Sequence, residues 1–377
     1  MKGKPDSGKR ILFLAKYLDS GGVTTHMMTL AQALQDKGWQ VGIISGGTYG
    51  AHEQGVEWFE SHGITHFQLD YNSRNPIRLL IAAVETLRVV RQFKPDLLHV
   101  HWRITSAYAQ LTKLLLGIPF VTTLHLLDIG SSRAHRLFSF WGSRSIAISS
   151  ECRDYLISDF HIAAEKIDTV YNGADENYFR PATSAEKVAA RAKFQIGNQA
   201  IAIGLVGRLE PVKGHQLLLD AITPLINAGR DIVLLFAGVG NLHDELEKSI
   251  DKLNLSSRVR FLGHTDSREV YWASDITVLP SYKEGFPLSV VESMLCAVPC
   301  VRTNTSGSND VFGDGQSGVI VPVGDVVALR ESIEGLTVDS QWRLTMGQMA
   351  RARALALFTS SKMVEKTLAV YRQTLKD

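Results

Sequence analysis

The chain has 377 residues, of which 45% are hydrophobic and 21% are charged. One hydrophobic core rarely serves more than about 250–300 residues, so this length predicts two domains. The 40 Lys and Arg residues nearly balance the 38 Asp and Glu residues. This balance excludes the strong uniform field of a nucleic-acid-binding protein, so we expect no nucleic-acid partner.

Three cysteines and a polar N-terminal stretch bear on the cellular compartment. Cys152, Cys296 and Cys300 are an odd number without C-x-x-C spacing, which argues against a disulfide framework and a structural zinc site. The apolar run at 11–15 is too short for a signal peptide or a membrane span. We therefore expect a cytoplasmic protein, and the sequence does not indicate its oligomeric state.

Short apolar runs alternate with amphipathic stretches along nearly the whole chain. This is the pattern of parallel strands joined by helical crossovers. After the strand at 11–15 comes the pair Gly21-Gly22, and then a helix that Gly38 ends. Further strands are predicted at 40–45, 64–69, 97–100, 119–124, 145–148 and 167–171.

The same alternation starts again at residue 201. Strands are predicted at 201–206, 232–237, 259–262, 276–279 and 299–302. A polar segment at 175–193 separates the two halves, and it contains Arg180-Pro181. The prediction is therefore an α/β protein with two Rossmann-like, doubly wound parallel sheets, residues 1–180 and 181–356. Residues that follow strands are the candidates for chemistry, because ligands bind there in such sheets.

The sequence contains little that suits a metal ion. His99 and His101 alternate on a predicted strand and share a face, but no third ligand is evident, and we expect packing or substrate contact instead. An Asp-x-Asp pair, which could hold a divalent ion against a diphosphate, is absent from the sequence. We predict neither a metal nor a cofactor.

Two cations bracket a turn after the strand at 201–206. Arg208 and Lys213 lie in the segment from Gly207 to Gly214, at the start of a predicted helix. Together with free backbone amides they would bind a diphosphate, although two solvated surface cations would have the same pattern. A second glycine turn ends at Gly240 and lacks the third glycine of a dinucleotide motif, so it is equally explained as a tight strand-to-helix turn.

Two carboxylates follow the strand at 276–279. Glu284 lies in a loop and Glu292 lies in the helix that should begin near Pro287. Carboxylates bind sugar and ribose hydroxyls, and the amides around Phe286 to Leu288 could receive phosphate oxygens. In the first half, Gly22 allows close approach of an anion or acceptor, and His125 follows the strand at 119–124. A hydrogen-bonded histidine at a strand end is the alternative for His125.

Taken in order, these segments resemble the family-4 retaining glycosyltransferases, which have the two-domain GT-B architecture. The resemblance covers nearly the whole chain. It rests on Gly21-Gly22, Thr123-Leu-His125, Tyr171-Asn-Gly-Ala-Asp175, Gly207-Arg208 to Lys213-Gly214, Phe261-Leu-Gly263, and Glu284 to Glu292. Three positions depart from the usual pattern, namely Pro287 in place of glycine, Asp310 in place of glutamate and Trp39 in place of histidine.

The resemblance implies a role for each candidate residue. Two domains would face each other across a cleft, and the C-terminal helix at 357–377 would join the first. Arg208 and Lys213 would bind the donor diphosphate, Glu292 the ribose, and Glu284 with the backbone of Phe286, Pro287 and Leu288 the transferred sugar. His125 would contact that sugar from the other domain, and the base would lie near Gly240 and His264. The expected catalytic residues are thus Glu284, His125, Arg208 and Lys213, and Gly22 is expected among the residues that bind the donor.

The implied activity is transfer of a sugar from a nucleotide diphosphate, with UDP-sugar favoured over GDP-sugar. The acceptor would be a glycan or a lipid-linked molecule in bacterial glycan, glycolipid or polysaccharide biosynthesis. A sugar-nucleotide epimerase and a non-catalytic nucleotide-sugar sensor are the alternatives. The basic residues Arg74, Arg78, Arg88, Arg91 and Lys94 favour a solvated helix face, with peripheral association at the inner membrane surface as the alternative.

Overall fold

The computed structural model describes residues 8–19, 21–47, 54–73, 75–127, 130 and 132–376. The chain divides after Asn172 and again after Thr359 into two compact units. The first unit contains the part of the chain before the first division and the part after the second. The second unit is continuous.

The first unit is built on a seven-stranded parallel sheet with the order β3-β2-β1-β4-β5-β6-β7. Its strands are β1 (Arg10–Leu14), β2 (Gln40–Ser45), β3 (Thr65–Gln68), β4 (Leu97–Val100), β5 (Phe120–Leu124), β6 (Arg144–Ala147) and β7 (Ile167–Thr169). Its helices before the division are α1 (Gly22–Asp36), α2 (Gln54–Ser61), α3 (Pro76–Phe93), α4 (Arg103–Leu116), α5 (Arg133–Leu137) and α6 (Ser150–Ser158). The direction of strand addition reverses between β1 and β4.

A long C-terminal helix completes the core of the first unit. This helix, α15 (Ser360–Thr374), buries Met363, Val364 and Leu368 in the same cluster as the β1 side chains. The buried ring of Trp39 lies 5.9 Å from that of Tyr371, so the departure at position 39 is a packing residue for α15. The last helix of the second unit extends to Leu357, and α15 therefore begins three residues later than the segment 357–377 expected from sequence.

The second unit contains a six-stranded parallel sheet with the order β10-β9-β8-β11-β12-β13. Its strands are β8 (Ile201–Val206), β9 (Ile232–Ala237), β10 (Val259–Gly263), β11 (Ile276–Leu279), β12 (Cys300–Thr303) and β13 (Val319–Val321). Its helices are α7 (Ser184–Lys193), α8 (His215–Asn227), α9 (His243–Lys252), α10 (Ser267–Ala273), α11 (Leu288–Leu295), α12 (Ser308–Phe312), α13 (Val326–Val338) and α14 (Ser340–Leu357). Here the direction reverses between β8 and β11.

The division between the units lies at 172/173 rather than at the expected 180/181. Residues of the polar segment dock on the second unit, since Phe179 and Ala182 pack against one of its hydrophobic clusters. The Tyr178 hydroxyl also donates a hydrogen bond to Asp266, at 2.8 Å. The division lies before this segment because the aromatic side chains of the otherwise polar stretch pack on the second unit.

A buried ion pair ties α7 to the start of β11. Asp275 accepts from Arg191 and Lys187, both at 2.9 Å, and from the backbone amide of Ala202 at 3.0 Å. The Arg191 side chain is only 9% exposed. Burial by itself would raise the pKa of Asp275, but Lys187, the Ala202 amide and Arg191 together hold it below its ordinary value.

Candidate functional site

In the second unit, the loops that follow β8 and β11 lie side by side because these two strands are neighbours. The amide of Tyr282 donates to the carbonyl of Val212 at 2.8 Å. Gly214 has φ +73°, and a Cβ there would lie 2.1 Å from the carbonyl oxygen of Pro280. Only glycine allows this approach. The two loops thus meet at the reversal of strand order, where ligands bind in open α/β sheets.

Lys213 and Glu284 form an ion pair across these loops. The Lys213 Nζ lies 2.7 Å from Glu284 Oε1, and the Ser281 hydroxyl donates to the same oxygen at 2.6 Å. The two charged side chains are only 18% and 9% exposed. Residues 71 positions apart in the chain are therefore held together in a largely desolvated position, where charge interacts more strongly than on the surface.

Arg208 forms its ion pair within its own loop. Its Nη1 lies 2.8 Å from Glu210 Oε1, within the same loop, and the Arg208 side chain is 45% exposed. The structure thus places Lys213 against Glu284 while Arg208 pairs locally. An exposed guanidinium with one carboxylate partner still has donors left for a ligand.

Gly240 is explained by packing. A Cβ at Gly238 would lie 2.1 Å from the carbonyl oxygen of Gly207, and one at Gly240 would lie 2.3 Å from that of Leu209. The glycine turn therefore lets the loop after β9 close on the loop that contains Arg208. Gly263 is the last residue of β10 and His264 follows it, and β9 separates this strand from β8.

The segment from Phe286 to Leu288 leads into α11. Pro287 occupies the position before the first helical residue, and in the described part of the chain no side chain caps this helix N-terminus. Gly307 packs beneath the loop, since a Cβ there would lie 2.9 Å from the ring of Phe286. The start of α11 lies four residues after Glu284 in the chain, and backbone amides at a helix start are suited to receive oxygen atoms of a ligand.

Glu292 lies within α11, and its neighbours differ from those of Glu284. Its Oε2 accepts a hydrogen bond from the Tyr271 hydroxyl of α10 at 2.8 Å. Burial raises the pKa of Glu292 to about 7, and the nearby charge of Asp266 acts in the same direction. The carboxyl group is therefore poised between its two protonation states near neutral pH.

The raised pKa of Glu292 leads to a testable prediction about thermal stability. The ordinary pKa of the carboxyl is 4.5 and the folded value is about 7, so the stabilising contribution is complete below pH 4.5 and is lost as the pH rises through 7. Glutamine stays neutral and still accepts from Tyr271. We expect Glu292→Gln to leave the midpoint of thermal unfolding unchanged at about pH 4 and to raise it at about pH 8.5. An equal shift at both pH values would contradict the assignment.

The first unit has its own strand-order reversal, between β1 and β4. Gly22 is the first residue of α1, directly after the loop that follows β1, and a Cβ there would meet no atom within 4 Å. Packing therefore does not require glycine at position 22. His101 follows β4 and His125 follows β5, so both histidines lie at the carboxyl ends of neighbouring strands.

Three buried histidines come together at these strand ends. His101 Nδ1 lies 3.1 Å from His125 Nε2, and the ring of His26 lies 5.1 Å from that of His125. His26 Nδ1 is 3.0 Å from Asn172 Oδ1, which orients the ring. Burial lowers the pKa of all three, for His26 to about 4, so the rings are neutral at pH 7. His26 escaped the sequence analysis because a single histidine inside an amphipathic helix has no distinguishing pattern.

His99 does not share the environment of His101. Its two ring nitrogens contact the Thr123 hydroxyl at 2.7 Å and the Tyr371 hydroxyl at 2.6 Å. Among the described residues, His26, His101 and His125 have nitrogen atoms within 4.8 Å of one another and are the buried group best placed to hold a metal. A second such group, His243, Asp244 and Glu247, lies on the surface. The absence of a bound metal remains a prediction.

Family models match both halves of the chain. The model for glycosyl transferases group 1 matches residues 186–353, which lie in the second unit. The model for glycosyltransferase family 4 matches residues 20–178. The matches together include the strand-end loops of both units.

Two relatives of similar length are also similar to this chain in sequence. The chain is 27% identical over 372 residues to N-acetyl-alpha-D-glucosaminyl L-malate synthase of Bacillus anthracis, with 96% of each chain covered. It is 28% identical over 308 residues to D-inositol 3-phosphate glycosyltransferase 1 of Catenulispora acidiphila, with 74% of this chain and 73% of that protein covered.

Solved structures share the fold. A glycosyltransferase from Rickettsia africae ESF-5 matches with a TM-score of 0.86 at 22% identity, over 98% of this chain and 99% of that one. HepE of Anabaena, in complex with UDP and glucose, matches with a TM-score of 0.83 at 21% identity, over 96% and 99%. The two parallel-sheet units are those of the GT-B fold, as expected from the sequence.

Proposed function

This chain belongs to glycosyltransferase family 4, and on that premise we propose that it transfers a sugar from a nucleotide diphosphate with retention of configuration. The proposed donor is a UDP-sugar rather than a GDP-sugar. The complex of the similar protein HepE with UDP and glucose supports uracil as the base of the donor. Malate and inositol phosphate in the names of relatives support small-molecule or glycan biosynthesis.

The observation that supports this proposal most is the pair Lys213–Glu284 at the β8/β11 reversal, beside the uncapped start of α11. A diphosphate leaving group gains negative charge as the glycosidic bond breaks. A largely buried ammonium and the amides at the start of α11 stabilise that charge more than they stabilise the intact donor. The Glu284 carboxylate would then turn from Lys213 to the hydroxyls of the sugar.

Retention is proposed to follow attack on the same face that the diphosphate leaves. In this scheme the acceptor hydroxyl forms the new bond to the anomeric carbon, the bond to the phosphate oxygen breaks, and the leaving phosphate takes the acceptor proton. Arg208 and Lys213 lower the energy of the departing group. Glu292 would bind the ribose and His264 and Gly240 would lie near the base, as the family resemblance implies.

A thermal-shift screen tests the donor, because a ligand that binds the folded state raises the midpoint of unfolding. We expect UDP and UDP-sugars to raise it more than GDP and GDP-sugars at equal concentration. Release of UDP that depends on an acceptor would separate transfer from epimerisation, and turnover itself would exclude a non-catalytic sensor. A β-linked product from an α-linked donor would exclude retention.

The expected peripheral membrane association stays a prediction. Among the described residues, no helix is both long and apolar enough to cross a membrane. Arg78 pairs with Asp70 at 3.4 Å, and Arg74 lies outside the described residues. The side chains of Ile77, Leu80, Ile81 and Val84 on α3 are 43–69% exposed. Such exposed apolar side chains support contact with a lipid surface more than the sequence alone did.

A further inference from the structure

A cavity of about 380 Å³ opens in the first unit at the carboxyl ends of β4 and β5. Its walls include His101, Trp102 and Arg103 from the β4 side and His125 from the β5 side. The size is that of a site for a small molecule. It also lies at the edge of the sheet where ligands bind in this class of fold.

The charge of this cavity has one sign. Lys16 and Arg103 both line it, and the described lining residues include no aspartate or glutamate. Within the part of the chain that the structure describes, neither cation has a carboxylate within ion-pair distance, and Lys16 Nζ lies 5.6 Å from the ring of Tyr17. Two cations without counter-charges favour an anionic ligand.

Some polar groups of the residues that line the cavity have hydrogen-bond partners and others do not. The hydroxyls of Thr122 and Ser106 already donate to the carbonyls of Trp141 and Arg103, at 3.0 Å and 2.6 Å. By contrast, His101 Nε2 and the indole nitrogens of Trp102 and Trp141 are buried without a hydrogen-bond partner among the described residues. An indole N–H can only donate, so neither tryptophan places an acceptor against an anionic ligand.

We propose that this cavity binds an anionic oxygen group of the acceptor, either a carboxylate or a phosphate ester, with Lys16 and Arg103 as its cationic ligands. The inference rests on the proposed function for the statement that the ligand is the acceptor. It does not need that function for the statement that the cavity binds an anion. The guanidinium of Arg103 suits a bidentate contact and the ammonium of Lys16 a point contact.

Isothermal titration of the full-length protein tests the proposal in the presence of EDTA, so that a metal bound by the buried histidines cannot mediate the result. The probes are L-malate, inositol 3-phosphate and uncharged inositol. We expect both anions to bind more tightly than inositol, and Arg103→Met and Lys16→Met each to weaken anion binding about tenfold or more. Arg103→Lys should retain part of the affinity, because it retains the charge.

The control variant is Arg88→Met, which removes an exposed cation from α3 and should leave anion affinity unchanged. Equal loss in this variant, or equal affinity for inositol and its phosphate, would overturn the proposal. Thermal unfolding of each variant identifies those that fail to fold. If Arg103→Met is among them, the affinity of Arg103→Lys for the anions tests the proposal instead. UDP affinity should be unchanged in all variants. If the protein bound the anions but not UDP, the proposed function would be overturned, whereas the proposal that the cavity binds an anion would stand.

The anion could belong to a soluble acceptor or to a lipid headgroup, and a second arm distinguishes the two sources. The protein is sedimented with vesicles of phosphatidylcholine alone or mixed with phosphatidylinositol phosphate. If the protein binds the vesicles that contain phosphatidylinositol phosphate and Arg103→Met abolishes this binding, the cavity binds the anionic group of a lipid headgroup. Anion-dependent binding that both Arg103→Met and Lys16→Met retain would overturn the assignment.

Discussion

Replacement of Lys213 by methionine is expected to lower kcat for sugar transfer by about 10²–10³-fold, the usual cost of removing one preorganised group that stabilises developing charge. The reason is the position of the ammonium, 2.7 Å from Glu284 and only 18% exposed. Initial rates of UDP release with saturating donor measure this effect. A change confined to KM would show that Lys213 binds the donor equally in the ground and transition states.

Two controls separate this catalytic effect from damage to the fold. Lys283→Met removes an exposed cation from the same loop and should leave kcat within about twofold, since a surface charge contributes little. Lys213→Met leaves Glu284 largely buried without its cation. Adding Glu284→Gln should recover thermal stability while activity stays low. Recovery of activity in the double variant would contradict the role of Lys213.

Replacement of Asp275 by alanine is expected to destabilise the second unit by about 3–5 kcal/mol, because it leaves a buried cation without its carboxylate partner. That cation is Arg191, whose side chain is 9% exposed. The variant also removes the hydrogen-bond acceptor of the Ala202 backbone amide in β8. Urea unfolding followed by a probe in the second unit measures the change.

The pH dependence supplies a second test of the same pair. The folded pKa of Asp275 is held below its ordinary value of 3.8, so its stabilising effect is present above that value and is lost as the pH falls through the folded one. The difference between the parent and Asp275→Ala should therefore shrink in acid. Glu334→Ala is the matched control, because its pair with Arg230 is 46% exposed on both sides and should contribute about 0–1 kcal/mol. An equal loss in both variants would count against the buried pair.

Strands buried on both faces were readily predicted. The run at 232–237 is apolar throughout, and every residue of β9 is buried. β13 was missed because its three residues, Val319–Val321, are too few to form a pattern and two of them are only partly buried. Short edge strands take their structure from the neighbour that they pair with, here β12.

The candidate site could be predicted in part, for a physical reason. Because parallel strands end at one edge of a sheet, residues that follow strands were the candidates for chemistry, and two of them, Lys213 and Glu284, are in contact. The partner of Glu292 could not be predicted, since Tyr271 lies 21 residues away on another helix and is buried like any core aromatic residue. The cluster of His26 with His101 and His125 depends on three separate elements, and no single pattern joins them.

The placement of α15 in the first unit has a consequence for biosynthesis. Met363, Val364 and Leu368 of α15 fill a core whose members outside the C-terminal segment all precede residue 172. The nascent first unit therefore lacks part of its core until α15 has emerged from the ribosome, whereas the second unit is complete once residue 359 has emerged. We expect the half that is translated later to acquire its native packing first, and the half that is translated first to wait with part of its apolar interior uncovered.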